Sequence, residues 1–287
     1  IYMGTSTGLW PKPDLDFKKE IQIYESEFNK LKEELSDVDF VVSEMVTSAE
    51  EVTGIKSRLK DVDGILAIHL TIGITPILNE ILSTGVPTMV FAVPYSGHEW
   101  VNFGSLMRQP AGSKLDCILS SDYHQLAAAI RPFRAIHHMR EAKILNLTTR
   151  DFSEYAGNIR NKFGTEIKQI ELSRMLDIYN SVDNAEARDE TDRWIKEAVQ
   201  VVEPSREEIF RSCRLALAFE KLLDEEDATV MTVDCYGTMF KPLCQTYAFP
   251  CLGFTRLNNM GLGGICESDL QSAMTHVLFQ GLAGKPG

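Results

Sequence analysis

GILAIHL at residues 64–70, ITPILNEILS at 74–83 and TMVFAV at 88–93 read in succession as strand, helix and strand. The same rhythm extends in both directions. Upstream, Ile1 to Met3 ends a strand that runs into the small-residue loop GTSTGLW. Between Phe17 and Leu35 the apolar residues Phe17, Ile21, Tyr24, Phe28, Leu31 and Leu35 recur every three or four positions, the spacing of a helix packed on a sheet. The apolar run Phe40–Val42 is expected to be the next strand and residues 49–59 the next helix, while Leu115–Ser120 closes the series downstream. Strands alternating with helices indicate an α/β fold with a parallel, doubly wound sheet, whose ligands meet the loops beyond the carboxyl ends of the strands.

Those loops carry Thr5, Ser6 and Thr7, then Ser43 and Glu44, then His69 and Thr71. The last of them, PYSGHEW at 94–100, is the strongest candidate, because the hydroxyl of Ser96, the imidazole of His98 and the indole of Trp100 suit a sugar. The same residue types also serve as ordinary loop hydrogen bonds and caps. GTSTG lacks the GxGxxG spacing of a dinucleotide site, and no Walker lysine follows it.

A second strand and helix series begins with KILNLT at 143–148, continues through a helix at 154–162 and reaches a strand at 166–172. A helix at 126–139 containing Pro132 leads into it, so the domains are expected at 1–141 and 142–287. His137 and His138 are adjacent on that helix and point about 100° apart, which suits a solvated or interdomain face better than a metal pair. Residues 173–225 are charged and helix-favouring, and Ser205 with Glu208 forms a capping-box signature after Pro204. Ala228–Val233 is then a buried strand that ends at Asp234.

The chain has 287 residues, enough for two cores, and a formal charge of −12. Without a basic stripe to neutralise phosphates, a nucleic-acid partner is excluded. No apolar run approaches the roughly 18 residues of a membrane span, and no charged-then-apolar leader opens the sequence. A soluble, cytoplasmic protein with a small polar ligand is therefore expected. The six cysteines include no CxxC pair, so they read as reduced apolar residues, with Cys235 and Cys266 lying beside acidic positions. Beginning inside a strand and stopping at GKPG, the sequence reads as a fragment that lacks a few initial residues and a further domain.

Between Asp234 and Glu267 there is no Asp or Glu, so Asp234, Glu267 and Asp269 bracket one Gly, Pro and Cys-rich region. Asp234 stands at a strand end, where a parallel sheet presents functional groups. Glu267 and Asp269 are expected in the first turn of an amphipathic helix, where the N–H groups and the helix dipole favour ionised carboxylates. Gly261, Gly263 and Gly264 are expected to let the backbone turn before that helix. Such carboxylates suit Mn²⁺ or Mg²⁺, and they can also move protons. They are equally ordinary caps. Within the acid-free region Tyr236, Lys241, Asn258 and Asn259 are candidate hydroxyl binders. Arg256 is a candidate for a sugar oxyanion, or else for pairing with Glu267 or Asp234.

VDCYG at 233–237, FPCLGFTRLNNMGLGGICESDLQSAM at 249–274 and LAGKPG at 282–287 resemble the metal-dependent fucose and arabinose isomerase superfamily, most closely its fucose isomerase-like members. The resemblance implies two flavodoxin-like domains, with the C-terminal domain of the family absent from this chain. It implies an aldose–ketose isomerase that acts on a monosaccharide or deoxy-sugar through an enediol, with Mn²⁺ (or Mg²⁺ or Co²⁺) bound. By that match Asp269 is a metal ligand with Glu267 as near neighbour, and Asp234 takes the place of the family's middle-domain carboxylate. In the family that place commonly holds glutamate, and the third ligand is a histidine of the C-terminal domain. His276 lies two helical turns, about 10 Å, beyond Asp269 and reads as a packed helix residue. Active sites in the superfamily are assembled between subunits, which implies a homotrimer or homohexamer in which PYSGHEW serves a neighbour. A non-catalytic sugar- or polyol-binding protein of the same fold is the alternative, and a lyase or epimerase using the same enediolate chemistry is a third.

Overall fold

In the computed structural model the described residues are 1–6, 12–96 and 100–284, the side chains of residues 100 and 101 apart. Two compact units emerge, Ile1–Arg134 and Ala135–Gly287. The division falls inside one helix, and the second strand and helix series starts at Lys143, beyond it.

Unit 1 runs β1 (Tyr2–Met3), α1 (Phe17–Lys30), β2 (Met45–Val46), α2 (Ala49–Ile55), β3 (Ile65–His69), α3 (Thr75–Leu82), β4 (Thr88–Ala92), α4 (Trp100–Leu106), β5 (Leu115–Leu119) and the start of α5 (Gln125–Glu141). All strand pairs are parallel, in the order β2-β1-β3-β4-β5. Because side chains alternate along a strand, the sheet feeds two cores. Met3, Ile65, Ala67 and Val90 pack with Val52, Ile77 and Ile81 of α2 and α3. On the other face Tyr2, Ile68 and Phe91 pack with Tyr24 of α1 and Leu126 and Ile130 of α5. The α/β class read from the sequence is thus the one observed.

The apolar run Phe40–Val42 is not the expected strand. Phe40 and Val41 are 46% and 57% exposed, and the Phe40 ring packs against Phe28 at 5.1 Å between centroids. Of this stretch only Met45 and Val46 pair with β1, and the intervening segment is irregular. Hydrophobicity located the neighbourhood, but the short ladder on β1 chose the residues.

Unit 2 continues with β6 (Lys143–Leu147), α6 (Ser153–Phe163), β7 (Glu166–Ile170), α7 (Leu172–Ser181), α8 (Asn184–Glu197), α9 (Arg206–Glu225), β8 (Val230–Val233), α10 (Cys251–Asn259), β9 (Gly263–Cys266) and α11 (Leu270–Ala283). Its strands are again parallel, in the order β7-β6-β8-β9. Leu145, Leu147, Met231 and Val233 face Met175, Phe219, Leu222 and Phe254 of α7, α9 and α10. Ile144 and Val230 face Ala273 and Val277 of α11. Helix α9 begins with the expected capping box, in which Ser205 and Glu208 satisfy each other's backbone N–H groups.

The glycines before the last helix form the edge strand β9 instead of an open turn. A Cβ on Gly263 would stand 2.7 Å from the Val230 side chain and 2.9 Å from His276, and one on Gly264 would stand 2.5 Å from the Phe254 Cα. Close packing is therefore what requires both glycines, whereas Gly261, with φ +82°, is the one that turns the chain. The expected helix also starts later. Asp269 is its N-cap, and Glu267 lies outside it.

His276 is 4% exposed, so it is a packed helix residue as its position in the sequence suggested. Burial lowers its pKa, His138 nearby adds to that, and the Leu262 carbonyl partly opposes them. The unfolded chain, titrating near 6.5, therefore takes up a proton before the folded one does. Stability is complete above about pH 6.5 and declines as the pH falls below it. Urea unfolding at pH 7 and pH 5 should show this slope in the wild type and a flatter one in His276→Leu. Equal slopes would assign the acid loss to other groups.

Candidate functional site

From β6 the chain passes to β7 on one side, then returns to β8 on the other, so β6 and β8 are neighbours across a reversal of strand order. Loops leaving the carboxyl ends of two such strands diverge and open a crevice, the usual ligand position in open α/β sheets. Here they are the segments 148–151 and 234–238.

Asp234 follows β8 directly and is 3% exposed. Its Oδ2 accepts from the Thr148 hydroxyl at 3.1 Å, the Thr238 N–H at 2.9 Å and the Thr238 hydroxyl at 3.0 Å, and pairs with Arg150 Nε at 3.0 Å. Burial pushes the carboxyl up, but the two Thr238 bonds, the Thr148 bond and the Arg150 charge outweigh it and hold the pKa below the usual aspartate range. Gly237 closes over this carboxylate so tightly that a Cβ there would lie 2.3 Å from Oδ1.

Arg150 joins the crevice to the loop before α11. Its Nη2 donates to the Glu267 carbonyl at 2.9 Å, and its side chain remains 54% exposed. Glu267 and Ser268 have φ of 63° and 57°, and the Asp269 N–H donates to the Cys266 carbonyl at 3.1 Å. Two successive positive φ values with that bond define a type I′ turn, which normally calls for Asn and Gly. Neither residue is a glycine, so the conformation costs roughly 1 kcal/mol or more at each. Ser268 secures it by donating to the Asn146 side-chain carbonyl at 2.6 Å. Beneath the turn, the Asn146 amide nitrogen and the Thr232 hydroxyl are buried without a hydrogen-bond partner.

Tyr236, 73% exposed, stands beside the crevice and stacks on Phe240 at 6.2 Å with an interplanar angle of 14°. Phe249 meets the Phe240 ring edge-on. The result is an aromatic surface next to a charged, hydroxyl-lined crevice, the pairing that sugar rings use.

The structure gathers some of the residues singled out in the sequence and separates others. Asp234 and Tyr236 belong to the loop after β8, and Glu267 joins it through its backbone carbonyl on Arg150. Asp269 caps α11, with Oδ1 accepting the Gln271 and Ser272 N–H groups and Oδ2 the Ser272 hydroxyl, and those Ser272 bonds lower its pKa. Arg256 pairs with Glu190 at 2.9 Å and Glu220 at 2.7 Å, so its partners are neither Glu267 nor Asp234. Asn258 clamps the backbone of Gly264 through its side-chain carbonyl and amide. Ser96, in unit 1, accepts from or donates to His69 Nδ1 at 2.9 Å and donates to the Val93 carbonyl. His98 and the Trp100 side chain lie outside the described residues. Arg150, Thr148 and Thr238 carry one signal in the sequence, their position at or just past the ends of the strands KILNLT and ATVMTV.

Among the described residues no three His, Cys, Asp or Glu side chains are grouped to hold a metal ion. More telling is the commitment of each carboxylate. Asp234 is paired with Arg150 and Asp269 with a helix end, and only the Glu267 carboxylate has no partner among the described residues. As folded, the set does not fit a divalent cation. All six cysteines are free thiols, and burial pushes that of Cys244 up to about 12. A groove of about 700 Å³ passes Ala228 and Leu262, at the amino ends of β8 and β9. It lies opposite the edge that carries the crevice residues. The crevice is the better candidate, since helix N-termini and diverging loops meet there.

No protein-family model matches the chain, and no curated protein matches it. No helix of the described residues is long and apolar enough to cross a membrane.

Proposed function

We propose that the β6–β8 crevice isomerises a monosaccharide or deoxy-sugar between aldose and ketose through an enediol. The supporting observation is the Asp234–Arg150 pair, which Arg150 ties to the backbone of the turn that carries Glu267, beside the exposed Tyr236 ring. Tyr236 offers the sugar an apolar face, Thr148 and Thr238 surround the fixed carboxylate, and Glu267 is the group able to carry a proton between adjacent carbons. The strand orders, 2-1-3-4-5 in unit 1 and its four-stranded counterpart in unit 2, support reading both units as flavodoxin-like. Ser96, His98 and Trp100 would serve a neighbouring subunit's site in a homotrimer or homohexamer.

Mn²⁺, Mg²⁺ or Co²⁺, implied by the resemblance, would polarise the sugar carbonyl, and Asp234, Glu267 and Asp269 would have to hold it. Two of these three have other partners, Asp234 in Arg150 and Asp269 in the start of α11. That same commitment favours a second reading, a protein that binds sugar or polyol without converting it. A panel of aldoses separates the two, assayed for ketose with Mn²⁺ and with chelator, alongside thermal shift. Ketose formation is expected. Sugar-dependent stabilisation without ketose would establish the binder, and neither effect would overturn both.

A further inference from the structure

We propose that Arg150, and not a divalent cation, is the electrophile of this crevice; the inference rests on the isomerase reading. Three observations meet on this residue. Asp234, the carboxylate that a cation would need, already carries the Arg150 charge at 3.0 Å and three hydrogen bonds on the same oxygen. Arg150 is anchored on its inner edges by Asp234 and by the Glu267 carbonyl, while Nη1 has no partner among the described residues and the side chain is 54% exposed. A guanidinium fixed in this way presents its remaining N–H groups in one orientation. Finally, the carbonyl that Arg150 holds belongs to Glu267, so the guanidinium is tied to the left-handed turn that carries that carboxylate. Strain of that kind, held by Arg150 and by Ser268 on Asn146, is the mark of a geometry maintained for use.

The chemistry balances without a metal. With the open-chain aldose carbonyl oxygen O1 on Nη1, Glu267 takes the proton from C2. The C2–H electron pair becomes the C1=C2 bond, and the former C=O pair moves onto O1, where Arg150 meets the developing charge. The O2 proton then passes to O1 as C2 becomes the carbonyl, and Glu267 returns its proton to C1. Nothing is oxidised or reduced overall.

The test uses the full chain freed of metal by EDTA, with Arg150→Gln and the charge-retaining Arg150→Lys compared with wild type. Wild-type turnover is expected to survive EDTA, to fall by about 100-fold or more in Arg150→Gln, and to recover in part in Arg150→Lys. Calorimetric binding of a five-carbon aldonohydroxamate, whose hydroxamate mimics the enediolate, should weaken at least about tenfold in Arg150→Gln. Unfolding curves of both variants confirm that the fold is retained. Turnover that needs Mn²⁺ and persists in Arg150→Gln would overturn the assignment to Arg150 while leaving the isomerase standing. No turnover under any condition defeats the isomerase reading, and the hydroxamate then decides alone. Equal affinity in wild type and Arg150→Gln, or no binding to either, overturns Arg150 as the electrophile; a selective loss upholds it as the oxyanion binder.

Discussion

Asp234→Ala should lower the unfolding free energy by about 2–4 kcal/mol, seen as a lower urea midpoint with an unchanged slope. The substitution leaves the Thr238 N–H and the buried Thr148 hydroxyl without their Asp234 acceptor. Removing one partner of a fully buried ion pair costs more, but Arg150 is 54% exposed and can be hydrated, so the ion-pair contribution is discounted. Asp234→Asn, which keeps an acceptor of the same shape, should lose less. The pH dependence follows from the lowered pKa of Asp234. The unfolded carboxyl titrates near 3.9, so this stabilisation is complete above that value and disappears as the pH falls through the lower folded pKa. In Asp234→Asn that part of the acid loss should vanish. A midpoint for Asp234→Ala equal to that of the wild type would show that the network contributes nothing to the fold.

Gly264→Ala is the second large effect, about 2–3 kcal/mol of destabilisation measured in the same way. Its methyl group would stand 2.5 Å from the Phe254 Cα and 2.8 Å from its Cβ, and backbone cannot swing aside as a side-chain end can. The overlap also pulls on the Asn258 clamp, which holds both the N–H and the carbonyl of Gly264. Gly54 gives the opposite sign, since nothing lies within 4 Å of a Cβ built there in α2. Gly54→Ala should stabilise the protein by about 0.5–1 kcal/mol through the unfolded chain's lost freedom. A neutral Gly264→Ala would show that the close approach of β9 to α10 has no energetic consequence, and a destabilising Gly54→Ala would overturn the second expectation.

Much of the fold was legible because its signals are local. The apolar spacing from Phe17 onward, the runs Ile65–His69 and Thr88–Ala92, and the Ser205 and Glu208 cap each depend on neighbours a few residues away. β2 and β9 were missed for the converse reason. Met45–Val46 is a strand because a two-residue β1 lies beside it, and Gly263–Cys266 because Val230 and Phe254 leave room for nothing larger than glycine at its start.

The candidate site divides along the same line. Composition and spacing alone established an acidic α/β chain, two strand and helix series, and Asp234, Glu267 and Tyr236 as residues at a strand end or helix approach. Partners were a matter for the folded state. Asp234 meets Thr148 from 86 positions away, and Arg150 meets the Glu267 carbonyl from 117 positions away. The three bracketing acids look alike in sequence, yet one neutralises an arginine, one caps a helix and one stays free. A carboxylate is taken up by whichever donor the fold places within about 3 Å, because charge-assisted bonds are strong at contact and weak beyond it.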